Sequence, residues 1–384
     1  MRLHLLALLG LAMTIAAPAT AKDTPSWSFA IHGGAGVLQR ANMTPQQQAE
    51  YRAALQVALD AGAKVLRDGG SAVDAVTAAI VILEDDPKFN AGRGAVFTHD
   101  GKNELDSSIM DGATGKAGAV AGVHRVKNPI TLARAVMDRS RHVMMVGGGA
   151  EAFAKEQGIT LVDPSYFRTE KRWLQLQNAL KEEKQAQASH TPRELPGKAY
   201  FGTVGALALD AKGQLAAGTS TGGMTNKRYG RVGDSPIIGA GTYAKDGQCA
   251  VSATGSGEYF IRVAAAAQVA WRVAGSQTLA QATQAVIDEI GSMGGDGGMI
   301  ALDAAGNIAA PFNSQGMKHA WLTPDGEIGV EVVRQGHASI LSRAPGSRAV
   351  SDSHGSSRNR AKAASPSTLK TFGSPPGAIR RRSI

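Results

Sequence analysis

Gly202-Thr203-Val204-Gly205-Ala206-Leu207-Ala208-Leu209-Asp210 is the stretch on which the reading of the fold turns. A nearly unbroken apolar run of this length, bounded by Gly and Asp, reads as a strand buried on both faces. A second run, Gln214–Ser220, follows the short turn Lys212-Gly213, so the pair predicts a hairpin. Upstream, residues 165–200 are polar and charged without a sustained apolar stripe, as in Lys181-Glu182-Glu183-Lys184. That composition predicts an exposed, mobile connector, and it gives way abruptly to the strand at Phe201.

Working outward, Trp27–His32 reads as a strand ending in a turn at Gly33-Gly34-Ala35-Gly36. Residues 45–67 predict a helix with Tyr51, Leu55, Leu59 and Leu66 near one face and Gly69-Gly70 as its stop. Ser71 opens a second helix, with Asp74 as a capping partner and Val73, Val76, Ile80 and Leu83 as its buried side. A loop spans Asp85–Gly94. Strands follow near Ala117–Val126, with helices near Thr131–Arg141 and Gly149–Gln157. Beyond the hairpin the pattern predicts helices near Glu258–Val273 and Thr278–Ile290, and strands at Gly298–Asp303 and Asn307–Ala310. Blocks of both types on each side of the connector imply stacked sheets covered by helices.

Composition limits what such a chain can be. It has 384 residues, 43% hydrophobic and 19% charged, which excludes wholesale disorder. Its single cysteine, Cys249, excludes an intrachain disulfide and a multi-cysteine metal site. Met1–Ala21 carries Arg2, an apolar run from Leu5 to Ala17, and the small-residue site Ala19-Thr20-Ala21. This is the pattern of a secretory signal peptide, so a periplasmic or secreted product is expected. Residues 343–384 hold nine basic residues and one acid, Asp352, and so account for +8 of the chain's net +9. This tail is rich in Ser, Pro and Gly and reads as disordered. The body is thus nearly neutral, and neither a nucleic-acid nor a membrane partner is expected of it. A tail-driven polyanion-binding protein is the competing reading outside the enzymes.

Three chemistries compete for the site. Gly218-Thr219-Ser220-Thr221-Gly222 fits the G-x-S-x-G elbow of a serine esterase, and His32-Gly33-Gly34 resembles its oxyanion-hole motif. Asp234, Asp303 or Asp325 with His319 or His337 would complete a triad, but the elbow here ends a hairpin strand and no helix start follows it. The glycine-rich segments lack the Lys-Ser/Thr or the βαβ setting of phosphate cradles. Third, Thr203 stands directly after a Gly at the start of a buried strand. Scission of the Gly202–Thr203 bond would make its freed α-amine the base for its own hydroxyl. That amine, with an ordinary pKa of about 7.7–8.0, is partly neutral near working pH.

The third reading is strengthened by a resemblance. Ile31-His-Gly-Gly-Ala-Gly36, Phe89–Thr98, Glu104–Gly112, Gly202-Thr-Val-Gly205, Thr219–Lys227, Gly230-Arg-Val-Gly-Asp-Ser-Pro236, Ala253-Thr-Gly-Ser-Gly-Glu258 and Pro311–Met317 occur in family order. Together they resemble the plant-type L-asparaginase/isoaspartyl peptidase family of N-terminal nucleophile hydrolases, over about residues 27–332. Residues 343–384 have no counterpart in it. Ser256 and Gln315 replace the Thr and Glu more usual in these motifs.

The resemblance implies an α+β four-layer αββα sandwich. It also implies a precursor cut into an α subunit, residues 22–202, and a β subunit, residues 203–342, assembled as a dimer of αβ units. Thr203 would be the nucleophile, oriented by Thr221. Arg231 would clamp the substrate α-carboxylate and Asp234 its α-ammonium, although a surface ion pair between the two is the plainer reading of that segment. Thr254 and Gly255 would form the oxyanion hole, and Asn90 would lie near the nucleophile. The carbonyls of Leu83, Glu84, Asp86, Phe89, Ala91 and Arg93 would ligate a structural sodium ion, with no cofactor needed for catalysis. The activity implied is hydrolysis of L-asparagine and of β-aspartyl dipeptides, with a glycosylasparaginase-like amidase as the sibling alternative.

Overall fold

The structure, a computed structural model, describes residues 27–36, 43–188, 202–323 and 325–332. The signal segment at 1–21, the last part of the connector at 189–201 and the tail at 343–384 lie outside the described residues.

The strands are β1 (Ser28–Gly36), β2 (Leu105–Asp111), β3 (Ala117–Val123), β4 (Met144–Val146), β5 (Val204–Leu209), β6 (Leu215–Thr221), β7 (Thr242–Ala244), β8 (Cys249–Gly255), β9 (Gly297–Asp303), β10 (Ile308–Ala309), β11 (Gly316–Leu322) and β12 (Ile328–Glu331). They form an eight-stranded sheet, β12-β11-β1-β5-β6-β2-β3-β4, and a four-stranded sheet, β10-β9-β8-β7. Every pairing is antiparallel except β3 with β4.

The first helical layer holds α1 (Pro45–Arg67), α2 (Ala72–Asp85), α3 (Pro129–Arg139) and α4 (Gly147–Glu156). Thr44 closes a capping box with Gln47 at the start of α1, and Pro45 takes a first-turn position that lacks an N–H requirement. The buried stripe of α1 and α2 (Leu55, Leu59, Val76, Ile80) packs on Phe29, Ile31, Ile109 and Val120 of the large sheet. Between the sheets, Leu207, Leu209, Leu215, Ile300 and Leu302 form a second apolar layer. Beneath the small sheet, Val251, Phe260, Val269, Val286, Ile290 and Met299 form a third. The architecture is therefore an α+β sandwich of four layers, αββα. With no disulfide available to Cys249, these layers carry the stability, each fully buried large apolar side chain contributing about 1.5–3 kcal/mol.

Several local expectations need correction. Gly33–Gly36 is not a turn: β1 continues through it with a register shift between His32 and Ala35. Gly34 (φ +99°) serves the bulge, and a Cβ there would lie 2.5 Å from the Gly202 Cα. Residues 165–188 are not a loose connector, because α5 (Glu170–Ala188) forms there. Its anchors are irregularly spaced and partly polar, so no stripe is visible in the sequence. Leu176 is buried, Trp173 packs edge-on to Phe97, and the Arg172 Nε donates to the Gly94 carbonyl at 2.7 Å. The predicted helix at 258–273 is two, α6 (Gly257–Arg262) and α7 (Ala265–Ala274), split where Ala264 takes a left-handed conformation (φ 49°). The helix near 278–290 is α8 (Leu279–Ser292), capped by Thr278 with Gln281.

Candidate active site

Strand alternation decides which side chains meet. On β5, Val204, Ala206 and Ala208 face the first helical layer, so Thr203, Gly205 and Leu207 face the gap between the sheets. On β6, Ala216 and Ser220 face the helices, and Thr219 and Thr221 face the gap. On β8, Val251 and Ala253 face α7 and α8, leaving Ser252 and Thr254 toward the gap. One end of the inter-sheet layer is therefore apolar and the other is lined with hydroxyls.

At that polar end, Thr203 Oγ1 donates to Thr221 Oγ1 at 3.1 Å, and Thr221 Oγ1 also accepts from the Gly223 N–H at 3.0 Å. Asn90 fastens both sides of this pair. Its N–H donates to the Gly202 carbonyl at 3.2 Å, and its own carbonyl accepts from the Gly222 N–H at 3.1 Å. Its Nδ2 donates to the Gly223 carbonyl at 2.8 Å. Thr203 is thus held at a strand end, 7% exposed, with the carbonyl before it already receiving a hydrogen bond.

The neighbouring strands bring the other candidates. Thr254, fully buried at the end of β8, accepts from the Ala35 N–H of the β1 bulge at 3.2 Å. Gly255 follows it where the chain crosses Gly297 of β9 closely; a Cβ would lie 2.5 Å from the Gly297 Cα. Arg231 and Asp234 do not form the isolated ion pair that their spacing suggests. Arg231 grips Glu258 with a fork, Nε to Oε1 at 2.8 Å and Nη2 to Oε2 at 2.9 Å. This bidentate geometry suits a planar guanidinium. Asp234 is buried behind it, its Oδ2 without a hydrogen-bond partner in the protein. Burial pushes its carboxyl up to about 6 while the nearby Arg231 charge opposes the shift. A buried carboxylate with an unsatisfied oxygen is suited to receiving an ammonium group.

The elbow reading fails on position. Ser220 Oγ donates to Glu84 Oε1 at 2.6 Å on the helix side of the sheet, and both side chains are fully buried. The His319 Nδ1 meets the Met317 carbonyl, 3.0 Å away, and His32 points into the gap toward Ser252. Neither reaches Ser220, and His337 lies outside the described residues.

The loop after α2 bears on the sodium expectation. The last carbonyls of a helix lack intrahelical partners, which leaves those of Leu83 and Glu84 at the α2 terminus available. The Glu84 and Phe89 carbonyls lie so close to Gly92 and Gly94 that a Cβ on either glycine would overlap them. The Asp86 and Ala91 carbonyls each accept one N–H, from Phe89 and Gly94, and keep a second lone pair. Arg93 lies in a short 3-10 turn, Gly92–Gly94. Neutral carbonyl oxygens are the donor type that a hard cation of low charge takes. Among the described residues, no cluster of three or more His, Cys, Asp or Glu side chains is arranged for a metal, and no helix is long and apolar enough to cross a membrane.

Sequence reasoning missed Glu258 as the partner of Arg231, 27 residues away. It also missed Ser252, which lies in β8 with no motif of its own. The Ala253–Glu258 stretch could have drawn attention to Glu258, but nothing in the spacing paired it with the arginine.

Comparison with known proteins follows this geometry. A family model described as asparaginase matches residues 25–330. The isoaspartyl peptidase of Escherichia coli K12 is 52% identical over 295 residues, covering 76% of this chain and 92% of that protein. The isoaspartyl peptidase/L-asparaginase of Mus musculus is 41% identical over 308 residues, covering 80% and 91%. A probable isoaspartyl peptidase/L-asparaginase 2 of Arabidopsis thaliana is 42% identical over 329 residues, covering 80% and 98%.

Proposed function

The chain belongs to the asparaginase family and is an amidohydrolase of the isoaspartyl peptidase/L-asparaginase kind; from that premise we propose that Thr203 is the nucleophile of a self-processing enzyme that hydrolyses L-asparagine and β-aspartyl dipeptides. The observation that carries this reading is the Thr203–Thr221 hydroxyl pair at 3.1 Å, placed where the chain before it ends in a hydrogen-bonded Gly202 carbonyl.

Maturation comes first. Thr203 Oγ1 attacks the Gly202 carbonyl carbon, whose oxygen the Asn90 N–H stabilises as charge develops. The Gly202–Thr203 C–N bond breaks, the amide nitrogen takes a proton to become a free amine, and water hydrolyses the resulting ester. The products are an α chain ending at Gly202 and a β chain beginning at Thr203. Gly34 supports this step sterically, since the β1 bulge lets Gly202 lie against it without a side chain between them.

The mature site then works on a side-chain amide. Arg231 receives the α-carboxylate on donors not committed to Glu258, and Asp234 receives the α-ammonium. The Thr203 hydroxyl loses its proton to its own α-amine and attacks the amide carbon. The tetrahedral oxyanion is held by the Thr254 hydroxyl and the Gly255 N–H. The leaving amine takes the proton from the α-ammonium, giving a β-aspartyl ester on Thr203. Water cleaves the ester to release aspartate and regenerate the hydroxyl. Leu83, Glu84, Asp86, Phe89, Ala91 and Arg93 would hold a sodium ion through their carbonyls, and such an ion would fix the loop that carries Asn90. The same reading includes export of the precursor, which rests on the signal-peptide pattern of Met1–Ala21, and assembly as a dimer of αβ units, which rests on the sequence resemblance.

Turnover of L-asparagine and β-aspartyl-leucine by wild type and Thr203→Ala tests the assignment. Wild type hydrolyses both and the variant neither; an active Thr203→Ala protein would overturn it.

A further inference from the structure

Beneath the three threonines lies a buried group that the reaction does not use. His32 Nε2 is 2.9 Å from Ser252 Oγ, and Ser252 Oγ is 2.7 Å from Thr219 Oγ1. Thr219 Oγ1 also accepts from Thr242 Oγ1 at 2.5 Å. His32, Ser252, Thr219 and Thr242 are all fully buried. Polar groups this deep are costly unless they are paired, so a connected set implies a purpose that an apolar layer would not serve.

The positions in the strands are informative. Ser252 is two residues before Thr254 on β8, and Thr219 is two residues before Thr221 on β6, so each shares a face with the threonine above it. His32 pairs in register with Gly205 of β5, two residues after Thr203. A Cβ at Gly205 would overlap both Ser252 Oγ and His32 Nε2, so the second glycine of Gly202-Thr-Val-Gly205 leaves room for this hydrogen bond. Burial keeps the imidazole neutral, lowering its pKa to about 3, an effect that the Thr203 backbone only partly offsets. The ring therefore meets Ser252 on β8 and, through it, Thr219 on β6, while its own strand, β1, pairs with β5 at Gly205.

We propose that His32, Ser252 and Thr219 are positioning residues that set the three threonine-bearing strands in a common register across the gap between the two sheets. Strands of different sheets share no ladder hydrogen bonds, so side-chain links fix how β8 stands over β5 and β6; beside the Thr254 contact with the Ala35 N–H, the Ser252 bridge between His32 and Thr219 is one of them. Without it, the hydroxyl of Thr254 would move relative to Thr203 and Thr221 while the head-group contacts at Arg231 and Asp234 stay in place. The signature is a loss in kcat at constant KM, because only the reacting geometry is disturbed.

The inference rests on Thr203 as nucleophile, and the experiment separates the two. Thr219→Val and Thr219→Ser are compared for kcat and KM on β-aspartyl-leucine, normalised to processed enzyme, with unfolding temperature measured alongside. Val keeps the volume and loses the hydroxyl; Ser keeps the hydroxyl and loses a methyl. The proposal expects Thr219→Val to lose at least about tenfold in kcat, with KM within about twofold, and Thr219→Ser to recover most of that loss. An unchanged kcat in Thr219→Val, or equal losses in both variants following their stability, would overturn it. If Thr219→Val does not fold, Ser252→Ala is read by the same split: a loss in kcat at constant KM supports the link and an unchanged kcat refutes it. Activity remaining in Thr203→Ala would instead remove the nucleophile assignment itself.

Discussion

Ser220 and Glu84 are joined through the floor of the large sheet: the serine hydroxyl donates to Oε1 of the carboxyl at 2.6 Å, both fully buried. The bond ties β6, one residue before Thr221, to the end of α2, from which the carbonyl-lined loop departs. The helix-facing serine of a strand whose gap-facing neighbours are threonines is therefore structural.

Ser220→Ala should remove one buried hydrogen bond and cost about 1–3 kcal/mol, since the carboxyl oxygen loses a donor. Urea unfolding measures that loss. Turnover of β-aspartyl-leucine should stay within about threefold of wild type, since no step passes through Ser220. Loss of several orders of magnitude in a folded, processed protein would restore the esterase reading.

Glu84 makes stability depend on pH. Burial pushes its carboxyl from 4.5 up to about 8, with the bonds from Ser220 and the Ile130 N–H opposing. A folded pKa above the unfolded one means that the native state binds the extra proton. This contribution is fully present below about 4.5 and is lost as pH rises through about 8. The unfolding temperature of wild type should fall across that window relative to Glu84→Gln, which has no proton to lose. Parallel curves for the two proteins would contradict the assignment.

Arg231→Ala should cripple hydrolysis and spare maturation. The substrate carboxylate would be desolvated without a partner, a loss on the order of 2–5 kcal/mol in kcat/KM. The Gly202–Thr203 bond presents no such head group, so the variant should still yield two chains. Wild type should be slow on N-acetyl-asparagine, which lacks the ammonium that Asp234 receives. Rapid turnover of that compound, or an unchanged Arg231→Ala rate, would show the pocket to be misassigned.

Much of this was legible in the sequence because it is local. The β5–β6 hairpin, α1 with its apolar face, and the Gly-Thr junction at the start of a buried run each follow from patterns within one window. What was not legible is long-range. β8 (Cys249–Gly255) and β11 (Gly316–Leu322) carry Ser252, Thr254, Lys318 and His319 on buried faces, so neither reads as an apolar strand. The helix α5 escaped because its grip on the body is an arginine, an aromatic edge and ion pairs such as Glu183 with Arg228. The three-residue spacing of Arg231 and Asp234 offers an ion pair as the plain alternative to a head-group clamp, whereas the fold turns the Arg231 fork onto Glu258.

N-terminal sequencing of the fragments separated on a denaturing gel tests the central claim most directly. The account predicts two bands from wild type, one beginning Thr-Val-Gly-Ala, and a single uncut, inactive chain from Thr203→Ala. A single full-length wild-type species with full amidase activity would contradict it.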